Sequence, residues 1–157
     1  MVFDTNVLLS MFVFPDSRFS PLRERLIAGQ YIALSDERCL TEFRRVLQYP
    51  MFALDDGAQT AAFERYRQLV EPVAAKPRPA YALPRCSDSD DQKFLEVARD
   101  GQADWLLTSD KALLKLARRQ KLSGKFQILT PDRALAVSMD SYLADNEHQR
   151  TDLGASE

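Results

Sequence analysis

The chain has 157 residues, of which 45% are hydrophobic and 28% are charged, and its formal net charge at pH 7 is -2. These values are typical of a single globular domain and exclude a wholly disordered or fibrous chain. The slight negative charge excludes a generally basic nucleic-acid-binding protein. It does not exclude local basic patches, because a carboxylate-rich site lowers the total.

The reactive residue types exclude several kinds of chemistry. Cys39 and Cys86 have no metal-ligand spacing and are too few for a disulfide framework, which favours a reducing, cytoplasmic environment. The only histidine, His148, lies in a polar tail, so we do not expect a histidine base. No apolar stretch reaches the roughly 20 residues of a membrane span, and no basic leader precedes the first apolar run. We therefore expect neither a membrane segment nor a signal peptide.

The chain begins with a short apolar strand that ends at Asp4. In an open parallel α/β sheet, ligands bind beyond the carboxyl ends of the strands, so a carboxylate at this point faces the ligand crevice. The alternative is that Asp4 caps a helix beginning near Val7. Only three residues precede Asp4, so we expect this edge of the crevice to be thinly supported.

The next segments alternate between helix and strand. Glu42 lies at the edge of the apolar stripe of one predicted helix, where its side chain can reach into a crevice or remain solvated. The basic residues Arg38, Arg44 and Arg45 of the same helix form a solvated face or contact phosphates. In order, the predicted elements are a helix over 20–28, a strand over 31–34, a helix over 36–48 capped by Ser35, a helix from 55 or 56 to 70, and a short strand at 73–75 within a proline-rich connection.

Three acidic residues, Asp88, Asp90 and Asp91, precede a predicted helix that ends near Gly101. Carboxylates are favoured at a helix N-terminus, so one or two of them need no other role. Three together repel one another unless a cation neutralises them, and a bound divalent ion would do so.

A second strand, predicted over 103–108, is followed by Ser109 and Asp110 and then by a helix over 111–118. Asp110 again either caps that helix or faces the crevice. A last strand over 126–129 and a helix over 130–144 complete the pattern. We expect an α/β fold with three layers, α/β/α, and a central, mostly parallel sheet of about five strands. Residues 1–144 would form one domain, followed by a polar tail over 145–157.

The dispersed acids therefore converge on one crevice if the strands are parallel. Hard divalent cations such as Mg²⁺ and Mn²⁺ prefer oxygen ligands and are commonly held by a few carboxylates. No Walker lysine loop or glycine-rich dinucleotide turn indicates a nucleotide cofactor. The four candidate ligands are Asp4, Glu42, Asp91 and Asp110.

Four segments of the chain carry the candidate acids, in the order VFDTNVL (2–8), LTEF (40–43), DSDDQKFL (88–95) and LTSD (107–110). Together and in this order they resemble the PIN-domain nucleases, and in particular the VapC-like toxins of bacterial toxin–antitoxin pairs. The resemblance covers roughly residues 1–137.

The resemblance implies a PIN-like domain and a ribonuclease that uses one or two Mg²⁺ or Mn²⁺ ions. It assigns the four catalytic, metal-binding acids to Asp4, Glu42, Asp91 and Asp110. Supporting polar positions fall on Asn6 and on Thr108 or Ser109, and Asp88 and Asp90 are outer candidates for the third ligand position. Phosphate contacts would come from Arg38, Arg44, Arg45 and Lys111.

The expected mechanism is attack on an RNA phosphodiester by a water that the bound metal activates, without a covalent enzyme intermediate. The toxin resemblance further implies an antitoxin protein as partner and a homodimer.

Two other functions fit the same residues. A receiver-type or phosphatase-type α/β domain also gathers acids at strand ends around Mg²⁺, although a haloacid-type enzyme needs a second aspartate where this chain has Asn6. A catalytically idle module that binds an antitoxin or dimerises is the alternative from another class.

Overall fold

The computed structural model describes residues 1–14 and 16–138 of the chain. Five short strands, all parallel, form its centre. They are β1 (Val2–Phe3), β2 (Ala33–Ser35), β3 (Val70–Pro72), β4 (Trp105–Leu107) and β5 (Gln127–Leu129). The described α-helices are α1 (Thr5–Leu8), α2 (Ser20–Ile27), α3 (Glu37–Leu47), α4 (Asp56–Arg67), α5 (Gln92–Asp100), α6 (Lys111–Leu114) and α7 (residues 131–138). A π-helix, Leu9–Val13, directly continues α1.

The strands pair as β1–β4–β5 and as β2–β3. Hydrogen bonds at Met1 join the two groups: the Met1 amino group donates to Ile32 O at 2.6 Å, and Leu34 N donates to Met1 O at 2.8 Å. This is the slanted pattern of a parallel pair, with Met1 lying between two residues of its neighbour. The resulting order, β3-β2-β1-β4-β5, confirms the predicted parallel α/β sheet.

Helices cover both faces of the sheet, which confirms the three-layer prediction. Successive residues of a strand point to opposite faces. Phe3 and Leu107 are in register and belong to a core with α1, α2, α3 and α4. Their neighbours Val2 and Leu106 belong to a second core with α5 and α6. The sheet is therefore fully covered, as its continuous apolar strands require.

Several element boundaries differ from the predictions. The strand placed at 73–75 lies at Val70–Pro72, because α4 ends at Arg67 and releases the following residues to pair with β2. The cap of α3 is not Ser35, which belongs to β2, but Asp36, whose side chain accepts from Cys39 N at 3.0 Å. Helix α6 does not extend to residue 118. It ends at Leu114, where the backbone changes to tighter turns.

The chain's last predicted helix is described only over residues 131–138. Its predicted continuation to residue 144, the tail over 145–157 and His148 lie outside the described residues. Within the described ranges, every helix is too short or too polar to cross a membrane.

Candidate metal centre

The candidate acids lie where the strand order changes direction. In the order β3-β2-β1-β4-β5, chain connections from β1 and β4 leave toward opposite sides, which opens a crevice beyond their carboxyl ends. Asp4 directly follows β1, and Asp110 follows β4 after two residues. The parallel register therefore brings together two segments that are about a hundred residues apart in the sequence.

Asp4 is buried, with 5% of its surface exposed. It occupies the N-cap position of α1, but its side chain makes no capping hydrogen bond. Its Oδ2 instead accepts a hydrogen bond of 2.7 Å from the hydroxyl of Thr108, which is fully buried. Burial raises the pKa of Asp4, and the nearby carboxylates of Glu42 and Asp110 raise it further. These contacts favour the crevice interpretation of Asp4 over the capping one.

Asp110 combines both of the roles that the sequence allows. Its Oδ1 caps α6 by accepting from Ala112 N at 2.7 Å and from Leu113 N at 3.2 Å. Its carboxylate also acts on the pKa values of Asp4 and Asp91 through charge repulsion. The cap occupies one carboxylate oxygen, and the other has no hydrogen bond within the part of the chain that the structure describes.

Glu42 projects from α3 toward the crevice and is already held by two side chains. The Thr5 hydroxyl donates to Oε2, and the Lys93 amino group donates to Oε1 at 2.9 Å. The side chains of Glu42 and Lys93 are each only 14% exposed. Lys93 also donates to the backbone carbonyl of Asp90. The crevice therefore contains a cation of its own.

The structure separates the three acids of the 88–91 segment. Burial raises the pKa of Asp91 to about 7, together with repulsion from the nearby carboxylates of Asp4, Asp88, Asp110 and Glu42. Asp91 therefore lies among all the other crevice acids.

Asp88 and Asp90 have different surroundings. Asp88 accepts from Asp90 N at 2.9 Å and so caps the short 3₁₀ turn Ser89–Asp91. Asp90 is exposed, whereas Asp91 is partly buried.

Gln92 fixes this acidic segment to the preceding loop. Its Oε1 accepts from Cys86 N at 2.8 Å, and its Nε2 donates to Pro84 O at 3.1 Å. Thr5 and Lys93 contact Glu42, and Gln92 holds the acidic segment, although the sequence did not predict any of them as part of the site. The signal for Lys93 was its place as the basic residue within the acidic 88–95 segment, but its pairing with Glu42 spans 51 positions and has no local signature.

The remaining predicted residues are placed as follows. Asn6 and Ser109 are exposed, and their side chains make no hydrogen bond to the crevice acids within the described residues. Lys111 is exposed at the start of α6. Arg38 donates to Asp36 at 2.9 Å and to Glu96 at 2.6 Å. Arg44 and Arg45 are both exposed on α3.

The donor set has the chemistry of a hard-cation site, but its present positions do not form one. Among residues 1–14 and 16–138, no three acidic, histidine or cysteine side chains are arranged to hold a metal ion. The oxygen donors and the mutual repulsion at Asp91 nevertheless fit Mg²⁺ or Mn²⁺. Binding would require Glu42 to turn away from Lys93 or the carboxylates to move inward.

A separate cavity, of about 500 Å³, lies at the end of the sheet opposite to the crevice. It is lined by residues at the amino ends of the strands, including Met1, Ile32 and Trp105. The crevice acids do not line it, so its size does not make it the functional site.

Fold and site together define a parallel α/β domain with acids gathered at the switch point of its sheet. A comparison with known protein families gives a match to the PIN domain over residues 1–112. This is more than half of the chain, and the chain belongs to the PIN domain family. The match includes all four predicted acids. PIN domains are usually nucleases that depend on Mg²⁺ or Mn²⁺. A comparison with curated proteins gave no match.

Proposed function

We propose that this protein is a divalent-metal-dependent endoribonuclease that hydrolyses RNA phosphodiesters. The observation that carries the proposal is the convergence of carboxylates around Asp91, which is partly buried among them. Burial, together with the repulsion of these carboxylates, raises the pKa of Asp91 to about 7. Such crowding is unfavourable without a cation and is expected at functional sites. Membership in the PIN domain family supports a nuclease in general, and the RNA substrate is part of the proposal.

Asp4, Glu42, Asp91 and Asp110 would hold one or two Mg²⁺ or Mn²⁺ ions. When bound, such an ion would supply a water of lowered pKa and would stabilise charge on the leaving oxygen. The Thr108 hydroxyl keeps the Asp4 carboxylate facing the crevice. The Asp110 cap fixes a second carboxylate relative to the end of β4. Lys93 keeps Glu42 near the crevice when no metal is bound.

The direct test is cleavage of a labelled RNA in the presence of Mn²⁺. The wild-type protein should cleave, and EDTA should stop the reaction. Asp4→Ala and Asp110→Ala should each reduce the rate at least about 100-fold, because each removes a carboxylate from the charge-stabilising site. Equal cleavage by all three proteins would rule out the proposed mechanism.

We further propose that the nuclease is the toxin of a toxin–antitoxin pair. The support is the resemblance of the four acidic segments to VapC-like toxins. A toxin would act in the cytoplasm, form a homodimer and be held inactive by an antitoxin protein. Expression should arrest growth, and co-expression of a small DNA-binding protein encoded by the neighbouring gene should relieve the arrest. Normal growth on expression of a cleavage-active protein would reject the toxin role.

The two alternatives predict different outcomes. A receiver-type or phosphatase-type domain would be labelled at Asp4 by acetyl phosphate, and the PIN family match disfavours it. An idle antitoxin-binding module would capture the neighbour-encoded protein yet cleave no RNA in Mn²⁺.

A further inference from the structure

A small cavity lies between α3 and α5, beside the acidic crevice. Its volume is about 240 Å³, and we call it the α3–α5 pocket. It is lined by Arg38, Thr41, Glu42, Arg45, Asp90 and Lys93. We propose that this pocket binds a backbone phosphate of the RNA strand, next to the phosphodiester that is cleaved. This inference rests on the proposed function. It identifies the surface that the RNA strand contacts next to the catalytic acids.

The three cations of the pocket differ in what already binds them. Arg38 is paired with Asp36 and Glu96, and Lys93 is paired with Glu42. Arg45 is exposed, and its side chain forms no ion pair, hydrogen bond or ring contact with any other described residue. Thr41 is exposed too, and its hydroxyl has no partner in the described part of the chain. Arg45 and Thr41 are therefore the donors that remain for a ligand.

The position of these donors relative to the crevice is fixed by α3. Arg45 follows Glu42 by three residues, and Thr41 precedes Arg45 by four, so all three lie on one face of the helix. One helical turn is about 5.4 Å, which places Arg45 close to Glu42 but beyond it along the helix axis. Because Glu42 borders both spaces, a strand with one phosphate at the acids can place another at Arg45.

Arg44 shows that this arrangement belongs to one face of α3. Its guanidinium lies over the ring of Phe63, 4.2 Å from the ring centroid, on the side of the helix that packs against α4. It has the same charge as Arg45 and directly precedes it in the chain, but it does not line the pocket. The family resemblance implies a phosphate contact for Arg44 as well, but its position over Phe63 and outside the pocket makes it instead a matched control for charge, helix and exposure.

Two carboxylates also line the pocket. The charge of Glu42 is compensated by Lys93, but Asp90 has no cation paired with its carboxylate among the described residues. Asp90 would oppose a bound phosphate. The proposal therefore predicts that removing this charge strengthens binding.

The experiment measures binding of a short fluorescent single-stranded RNA by anisotropy in Mg²⁺. Every variant carries Asp91→Asn, which stops cleavage and reduces repulsion in the crevice. Arg45→Ala should weaken binding about tenfold and reduce the salt slope by about 0.7, the contribution of one phosphate contact on a single strand. Arg44→Ala should stay within about twofold of the parent, and Asp90→Asn should bind more tightly. Thermal melting of each variant confirms that it is folded.

A single-stranded DNA of the same sequence distinguishes a phosphate contact from one to the sugar. Because Arg45 would contact phosphate, Arg45→Ala should weaken the affinity for DNA by the same factor as the affinity for RNA. A parent that does not bind RNA, equal losses for Arg44→Ala and Arg45→Ala, or a loss confined to RNA would overturn the proposal. Cleavage by the unmodified protein in Mn²⁺ is scored separately, so an inactive nuclease with an Arg45-dependent phosphate site remains distinguishable.

Discussion

The Thr108 hydroxyl donates a hydrogen bond of 2.7 Å to Asp4 Oδ2, and it accepts one of 2.9 Å from Asp110 N. One buried side chain thus links the acid after β1 to the acid after β4, although Thr108 and Asp4 are 104 positions apart. This link makes the spacing of the two carboxylates a property of the sheet register.

Thr108→Val keeps the shape of this side chain but removes both hydrogen bonds. We expect cleavage to fall about tenfold, because the Asp4 carboxylate loses the donor that orients it. The free energy of unfolding should fall by about 1–2 kcal/mol, as expected when a buried acceptor loses its partner. Thr108→Ser retains the hydroxyl and should restore most of the activity. Equal rates for the valine and serine variants would show that orientation of Asp4 does not matter.

The capping and crevice roles of Asp110 can be separated by two substitutions. Asparagine is a good N-cap, so Asp110→Asn should leave thermal stability nearly unchanged while removing the carboxylate charge. Asp110→Ala removes the cap as well and should cost about 1 kcal/mol. Both should lose Mn²⁺-dependent cleavage. If the asparagine variant kept wild-type activity, Asp110 would be a cap only.

The raised pKa of Asp91 predicts how the stability of the metal-free protein depends on pH. This pKa is about 7 in the folded protein, above the ordinary value of 3.8 for an aspartate, so the folded state binds the proton more tightly than the unfolded state. Stability should therefore decrease as the pH rises from about 4 to 7, and remain lower above it.

The matching variant is Asp91→Asn. At pH 8 it should be more stable than the metal-free wild type by about 1 kcal/mol, a modest gain because Asp91 is only partly buried. In a chain of this size that is a rise in Tm of about 2–4 °C. At pH 4 the two proteins should melt together, and a wild-type Tm that rises between pH 5 and 8 would contradict the assignment.

The pair between Lys93 and Glu42 predicts that a bound metal ion would replace Lys93 as the cation next to Glu42. Lys93→Met leaves Glu42 without its cation in a partly buried site, and should cost about 2 kcal/mol in EDTA. Mn²⁺ should recover much of this loss, because a ligand that binds only the folded state stabilises it. Lys121→Met, at an exposed position in the 3₁₀ turn Gln120–Leu122, is the control. Loss of the same size with and without Mn²⁺ would mean that Lys93 is purely structural.

The strand-end acids could be predicted from the sequence because their signal is local. Asp4 and Asp110 each follow a short apolar run, and parallel pairing then brings them to the same edge of the sheet. The acids of the 88–91 segment could not be distinguished by residue type alone, and only the family resemblance selected Asp91. In the structure a 3₁₀ turn directs Asp91 differently from Asp90, and no periodic pattern in the sequence predicts such a turn.

The site features that the sequence did not predict depend on long-range contacts. Lys93 on α5 neutralises part of the crevice charge by pairing with Glu42 on α3. From the sequence, we expect a metal ion to neutralise that charge. The basic residues of α3 looked equivalent in the sequence, yet Arg38 is paired, Arg44 lies over a ring and Arg45 is unpaired among the described residues. Tertiary packing, rather than residue type, distinguishes them.

Binding of Mn²⁺, followed by electron paramagnetic resonance of the free ion, tests most directly whether the crevice acids form one metal site. The wild-type protein should bind Mn²⁺, and Asp4→Asn and Asp91→Asn should each weaken binding at least about tenfold, as loss of a charged ligand or its support does. Asp56→Asn, at the exposed start of α4, should bind like the wild type. Mn²⁺ affinity that is the same in the wild type and in both crevice variants would contradict the account.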